Sequence, residues 1–197
     1  MFYFRLVIRT AGDEAMRPTE PNRSFPLEEI EDAFRTYLNT GMIREDWDAW
    51  CDLFTEDVLY LERVLGTMQG RVTVRTWIVP LMDRYREIYG VYEWHHVDPS
   101  GRVVFYMQNR RDHPSGNGYI DFPGISIIHY AGNGKWRMEE DYWAEKLAGQ
   151  AFQDYEAARK EHDRDHRKKG TRLHWGEGPE WTKGPKSYCD QPGRTKP

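Results

Sequence analysis

Two turns in the second half of this chain constrain its fold more than any other feature. Asp98-Pro99-Ser100-Gly101 and Ala131-Gly132-Asn133-Gly134 concentrate the Gly, Asn and Pro that hairpin connections require. Each lies between segments rich in β-branched and aromatic residues, 91–97 and 102–111 around the first, 119–130 and 135–143 around the second. The pattern predicts two antiparallel hairpins. Ahead of them, Ile30, Phe34, Tyr37 and Leu38 recur at helical spacing and predict a helix over 27–39. Trp47, Trp50, Leu53 and Phe54 predict a second over 46–54, and 73–89 reads as a third that Pro80 should kink or break. A strand over 58–64 lies between the last two, and a final helix covers 147–162. Helices followed by a run of strands make an α+β domain, a curved antiparallel sheet packed on N-terminal helices. Such a sheet, closed on one side, leaves a cone-shaped pocket suited to a small molecule.

The chain divides into a flexible extension over 1–24, the α+β cone over 25–162, and a polar tail over 163–197. The tail is rich in Lys, Arg, Gly and Pro and reads as disordered or loosely held. Its run His162, His166, Arg167, Lys168, Lys169 reads as solvated charge. The opening MFYFRLVIRT is too short for a full signal peptide and has no small-residue cleavage site, so it reads as an arm or an upstream extension. A net charge of −4 gives no footprint for nucleic acid, and no apolar run reaches membrane-span length. Cys51 and Cys189 sit in unlike settings, which argues against a disulfide framework and favours a reducing, cytoplasmic location. No metal-ligating or nucleotide-cradling motif is present, so neither metal nor cofactor is expected.

Candidate chemistry begins on the strand over 58–64. Side chains alternate across a strand, so Tyr60 and Glu62 share a face with Val58 and Val64. A carboxylate and a phenol on an otherwise apolar face suggest a purpose, because burying them is unfavourable. The plainer reading pairs Glu62 with Arg63 or Arg71 at the sheet rim. In the first hairpin, pairing His96 with Val103 puts Tyr92, Trp94, His96, Val103, Phe105, Met107 and Asn109 on one face and turns His95 outward. A one-residue bulge would exchange the two histidines. In the second, Tyr130 faces Trp136, Ile128 faces Met138 and Ser126 faces Glu140, which turns Glu140 inward. Alternatively, 139–141 is a solvated acidic run. Tyr37 points either a hydroxyl at the cavity mouth or a ring into the core.

Asp46-Trp47-Asp48, Leu53-Phe54, Asp57, Gly70-Arg71 and Gly134-Lys135-Trp136 give the segment from about Phe25 to Glu161 a resemblance to the nuclear-transport-factor-2-like superfamily, and within it the SnoaL-like group. That superfamily includes ketosteroid isomerases, scytalone and bile-acid dehydratases, limonene epoxide hydrolases, polyketide cyclases and non-catalytic members. The resemblance implies roles position by position. Glu62 falls where steroid isomerases carry a general-base aspartate, and Tyr60 on the water-binding tyrosine of epoxide hydrolases. Asp141 matches the acidic residue that epoxide hydrolases and polyketide cyclases use in proton transfer, in place of Glu140. Asn109 matches a second acidic position, and Met107 stands where an arginine is expected, which disfavours the epoxide hydrolases' water-activating set. Ser126 matches an oxyanion-hole position, and one of His95 and His96 a dehydratase histidine.

Two functions follow. The first is a cofactor-independent acid–base enzyme, a lyase (dehydratase) or isomerase, acting on a small hydrophobic, ring-containing substrate. Glu62, His96, Asp141, Tyr60 and Asn109 would carry the chemistry, and Tyr37, Trp94, Phe105, Met107 and Ser126 would seat the substrate. The second is a non-catalytic ligand-binding or dimerising module of the same fold. The superfamily implies a homodimer or higher homo-oligomer, with no nucleic-acid or membrane partner.

Overall fold

A computed structural model describes residues 24–194. The expected N-terminal extension lies outside the described residues except for Ser24. Helix α1, Leu27–Leu38, buries the predicted stripe of Ile30, Phe34, Tyr37 and Leu38, and Glu28 and Glu29 in its first turn complement the helix dipole. It continues into a π-helical turn, Asn39–Ile43, whose residues from Thr40 onward are buried. Gly41 is required there: a Cβ would lie 2.5 Å from Cδ1 of the Trp50 ring. Helix α2 is a single turn, Trp47–Cys51, capped by Asp46, whose carboxylate accepts from the Ala49 amide at 3.1 Å. It is shorter than the expected 46–54, because Phe54 already belongs to strand β1, Phe54–Glu62. A short β2, Gly66–Gln69, follows, then α3, Arg71–Arg84, which runs through Pro80 and ends one turn later. Strands β3, Tyr89–Val97, β4, Arg102–Asp112, β5, Tyr119–Gly132, and β6, Lys135–Trp143, complete one sheet.

The sheet order is β2-β1-β6-β5-β4-β3. The β1–β6 pair is parallel, the one departure from the antiparallel sheet expected; the other pairs are antiparallel. Helices pack on one face of this curved sheet. There the core joins Phe34, Tyr37 and Leu38 of α1 and Trp50 of α2 to Val58, Tyr60, Val103, Phe105, Ile128 and Trp136. Register defines rows across this inner face. One row is Tyr60, Glu139, Ile128, Val103; the next is Glu62, Asp141, Ser126, Phe105, His95; the third is Trp143, Gly124, Met107, Tyr92.

Beyond the sheet, α4, Glu145–Glu161, lays Ala148 and Ala151 against Phe122. The polar segment after it is not a loose arm within the described residues. A short helix α5, His166–Lys169, buries His166, whose Nδ1 lies 3.0 Å from the Tyr155 hydroxyl, and Arg167 pairs with Glu87 at 3.0 Å, so this charge run is not solvated throughout. Arg172, fully buried, pairs with buried Glu45 at 2.6 Å and donates to the Arg86 carbonyl at 2.7 Å. Trp175 and Tyr188 are buried, and the Gln191 amide donates to the Ile43 carbonyl at 3.0 Å. The segment carries no helical or strand periodicity. Its order comes from a few large side chains anchored at separate points, which composition does not register. Among the described residues no helix is long and apolar enough to cross a membrane, and Cys51 and Cys189 are free thiols.

Candidate functional site

Three strands and one helix converge on two carboxyl groups. Inner-face alternation on β6 places Glu139 and Asp141 side by side, and parallel pairing sets Tyr60 and Glu62 of β1 beside them. The Tyr37 hydroxyl, from α1, donates to Glu139 Oε1 at 2.7 Å. The Tyr60 hydroxyl lies 3.2 Å from the same oxygen and donates a short hydrogen bond to Asp141 Oδ2. Ser126 on β5 donates to Asp141 Oδ1 at 2.6 Å. Glu139 is 2% exposed and its Oε2 has no hydrogen-bond partner, whereas Asp141 is partly exposed. Among the described residues, neither carboxyl forms an ion pair.

Electrostatics follow from this arrangement. Burial pushes Glu139 well above the usual carboxylate range, and the neighbouring Asp141 charge pushes it further; the hydrogen bond from Tyr37 and the nearby Tyr60 hydroxyl only partly offset this. Burial also raises Asp141, opposed by hydrogen bonds from Ser126 and Tyr60 and by the neighbouring Glu139 carboxyl. Tyr37 and Tyr60 are held well above their ordinary values, by burial first and the carboxylates second, so both stay neutral donors. A stability consequence has a definite sign. Above the unfolded-chain value of about 4.3, the native protein keeps a proton on Glu139 that the unfolded chain has released. This contribution to stability is full below that pH and is lost as pH rises toward the raised native value. Urea unfolding of wild type against Glu139→Gln should show the difference changing by at most about 1.4 kcal/mol per pH unit in that window. A pH-independent difference would contradict a proton-holding Glu139.

Glu62 shares the inner face with Tyr60, but its carboxylate is engaged elsewhere. It accepts from the Val64 amide at 3.0 Å, from the Leu65 amide and from Trp143 Nε1. Burial raises its pKa, and those donors lower it in part. Glu62 therefore ties the β1–β2 turn to Trp143 at the end of β6. The rim pairing with Arg63 or Arg71 is not formed, since Arg63 reaches Glu140 on the outer face.

The histidine assignment is reversed. The hairpin loop has three residues, so Val97 pairs with Val103, His96 with Val104 and His95 with Phe105, and Glu93 is bulged out between Tyr92 and Trp94. Gly101 takes φ +92°, the left-handed position that closes a three-residue loop. His95 therefore faces inward against Phe34, its centroid 4.6 Å away, with Tyr92 Oη at 2.8 Å and Glu31 Oε2 at 2.9 Å. His96 and Trp94 turn outward; Trp94 is 49% exposed and stacks on Tyr106. Glu62 and His96 lie on opposite faces, so that pairing cannot act as one acid–base set. On β6 a bulge at Arg137 shifts the register, so that Glu139 pairs with Ile128 and Asp141 with Ser126; Glu140 faces outward. Phe105 belongs to the core against Tyr37. Met107 and Asn109 flank Gly124, where a Cβ would lie 3.1 Å from Asn109 Nδ2 and 3.7 Å from Met107 Cε.

Glu139 is the member that sequence reasoning missed. Alternation from Asp141 would have found it, since position 139 shares its face. Rings pack beside the pair, with Trp50–Phe54 centroids at 4.7 Å and Tyr60–Trp77 at 5.2 Å. Trp77, Met107, Asn109, Asp141 and Trp143 are partly exposed. Two surface clefts lie elsewhere, about 420 Å³ beside Trp47 and Arg194 and about 710 Å³ beside Arg110 and Trp175. Among the described residues no cluster of three or more His, Cys, Asp or Glu is arranged to hold a metal.

A family model described as SnoaL-like domain matches residues 34–138. No curated protein matches the sequence. Solved structures with the same fold include a Jannaschia sp. CCS1 protein described as a SnoaL-like polyketide cyclase. It is 16% identical, with TM-score 0.52, 66% of this chain and 96% of that one covered. An LEH-like epoxide hydrolase of M. tuberculosis is 16% identical, TM-score 0.52, covering 66% and 94%. A Bacillus subtilis protein described as an isomerase is 18% identical, TM-score 0.51, covering 64% and 94%. At these identities the likeness is one of fold.

Proposed function

The chain belongs to the SnoaL-like domain family, and from that premise we propose that it is a cofactor-independent proton-transfer enzyme, a lyase or isomerase of a small hydrophobic, ring-containing substrate. The observation that carries this reading is the Glu139–Asp141 pair, served by the Tyr37, Tyr60 and Ser126 hydroxyls and paired with no cation among the described residues. A buried carboxyl of raised pKa without a counter-ion is poised for general acid–base work near neutrality.

Asp141, the partly exposed member, exchanges the proton with substrate. Its Oδ1 and Oδ2 are fixed by Ser126 and Tyr60, so the carboxyl is oriented before substrate arrives. The substrate ring rests against Met107, Trp77 and Trp143, and the Asn109 amide donates to the oxygen on which charge develops. Glu62 acts through Trp143 and the β1–β2 turn rather than as the base.

The same reading includes a homodimer. Trp94 stacked on Tyr106, together with exposed Tyr142, supports contact through the outer sheet face. Two free thiols support a cytoplasmic location.

A second reading, a ligand-binding module without turnover, is supported by the aromatic rings packed beside the pair. One experiment separates the two. A panel of cyclic ketones, β-hydroxyketones and epoxides is incubated with the protein in D2O and followed by NMR. The enzyme reading expects catalysed deuterium uptake beside the carbonyl, or water loss, for at least one compound. Binding of these compounds with neither reaction would establish the module reading instead.

A further inference from the structure

We infer that Glu139 is a positioning residue that holds the pair's resident carboxyl proton behind Asp141, with Tyr60 as the bridge between the two carboxyls. The inference rests on the proton-transfer reading of Asp141 and adds a resident that the substrate does not touch.

A proton count leads to it. Tyr37, Tyr60 and Ser126 each bring one hydroxyl proton. Three contacts use them: Tyr37 to Glu139 Oε1, Tyr60 to Asp141 Oδ2 and Ser126 to Asp141 Oδ1. The 3.2 Å contact between the Tyr60 oxygen and Glu139 Oε1 then has no proton left, and Glu139 Oε2 is buried without a partner. One proton on Glu139 satisfies the cluster and lowers its charge from two negatives to one. Two ionised carboxylates side by side, one buried and neither paired with a cation, would be far less favourable.

The groups that face the pair from each packed element leave this count intact. From α1 comes only the neutral Tyr37. From α2, Cys51 is pushed up to about 12 by burial and stays a thiol. From β1, Glu62 is occupied by the Val64 and Leu65 amides and Trp143. From α3, the uncharged ring of Trp77 packs on Tyr60. His95 lies in the same row beyond Phe105 and is held by Glu31 and Tyr92.

The pair thereby serves as base and acid in one cycle. The Asp141 carboxylate takes the substrate proton as the C–H bond breaks, and its electrons pass into the enolate. The pair then carries two protons and no net charge. One proton returns, either to another carbon, giving an isomer, or to a leaving hydroxyl that departs as water.

The test does not depend on turnover. Full-length protein labelled with 13C at the Asp and Glu side-chain carboxyls is titrated by NMR, as wild type, Glu139→Gln and Asp141→Asn. Wild type should show two linked steps, the upper one well above the ordinary carboxylate range. Glu139→Gln should lose that upper step and keep one. Asp141→Asn should keep one step, lower than the wild-type upper step, because the like charge has gone; this variant also reads the coupling if Glu139→Gln folds poorly. An upper step that survives Glu139→Gln, or two carboxyls that titrate independently, would overturn the inference. A normal paired titration in a protein that turns over nothing leaves the proton-holding pair standing and removes only the catalytic reading.

Discussion

Asp141→Asn should lower turnover by about 10²–10⁴-fold on any substrate found by the deuterium-exchange panel. The amide keeps the shape and the Ser126 contact, and it loses the proton-accepting charge at the partly exposed end of the pair. Substrate affinity should change little, because the apolar surface of Met107, Trp77 and Trp143 is untouched. Glu140→Gln is the matched control. Its carboxylate lies one residue away on the outer face, bonded to Arg63 and Tyr142, so the rate should stay within about twofold of wild type. Measured kcat and KM for both variants decide the matter. Full activity in Asp141→Asn would remove Asp141 as the proton-transfer group and return Glu62 to consideration.

The second large effect concerns stability. Arg172→Ala should destabilise the protein by about 3–5 kcal/mol, because it leaves the buried Glu45 carboxylate without its partner. The burden is heavier than for a surface pair: Arg172 also donates to the Gly170 and Arg86 carbonyls, and all would lose that donor at once. Glu45 sits at φ +52°, an uncommon conformation for a side-chain-bearing residue, so the pair also holds the turn between the π-helical segment and α2 in place. Combining Arg172→Met with Glu45→Leu removes both charges and should restore most of the lost stability. Urea unfolding of the three proteins measures this. A loss under about 0.5 kcal/mol for Arg172→Ala, the usual result at an exposed site, would mean that the segment after α5 is held only loosely.

The sequence reading and the structure part at identifiable places. The turns at Asp98–Gly101 and Ala131–Gly134 and the stripe on α1 were legible because they depend on neighbours a few residues apart. Tyr60 and Glu62 on one face followed from alternation alone. The faces of the two hairpins were not legible, because each depends on a single extra residue. In the first hairpin the three-residue loop sets Val97 against Val103 and so turns His95 inward, and the Glu93 bulge then returns Tyr92 to that same face; in β6 the bulge at Arg137 turns Glu139 and Asp141 inward. For β6, the family resemblance pointed to Asp141 where counting pointed to Glu140, and the structure turns Asp141 inward.

By itself, the sequence determined the main helices, the four hairpin strands, the α+β class and the strand that carries Tyr60 and Glu62, since local conformational preference and apolar periodicity act over short separations; it did not show β2, the π-helical turn or α5. Only the tertiary structure decided that β1 runs parallel to β6, that Glu139 stands beside Asp141 under Tyr37 and Tyr60, and that Arg172 is buried against Glu45. Those partners lie between 79 and 127 residues apart along the chain. Their meeting depends on register, crossover and the burial of individual charged side chains, none of which leaves a periodic trace in sequence.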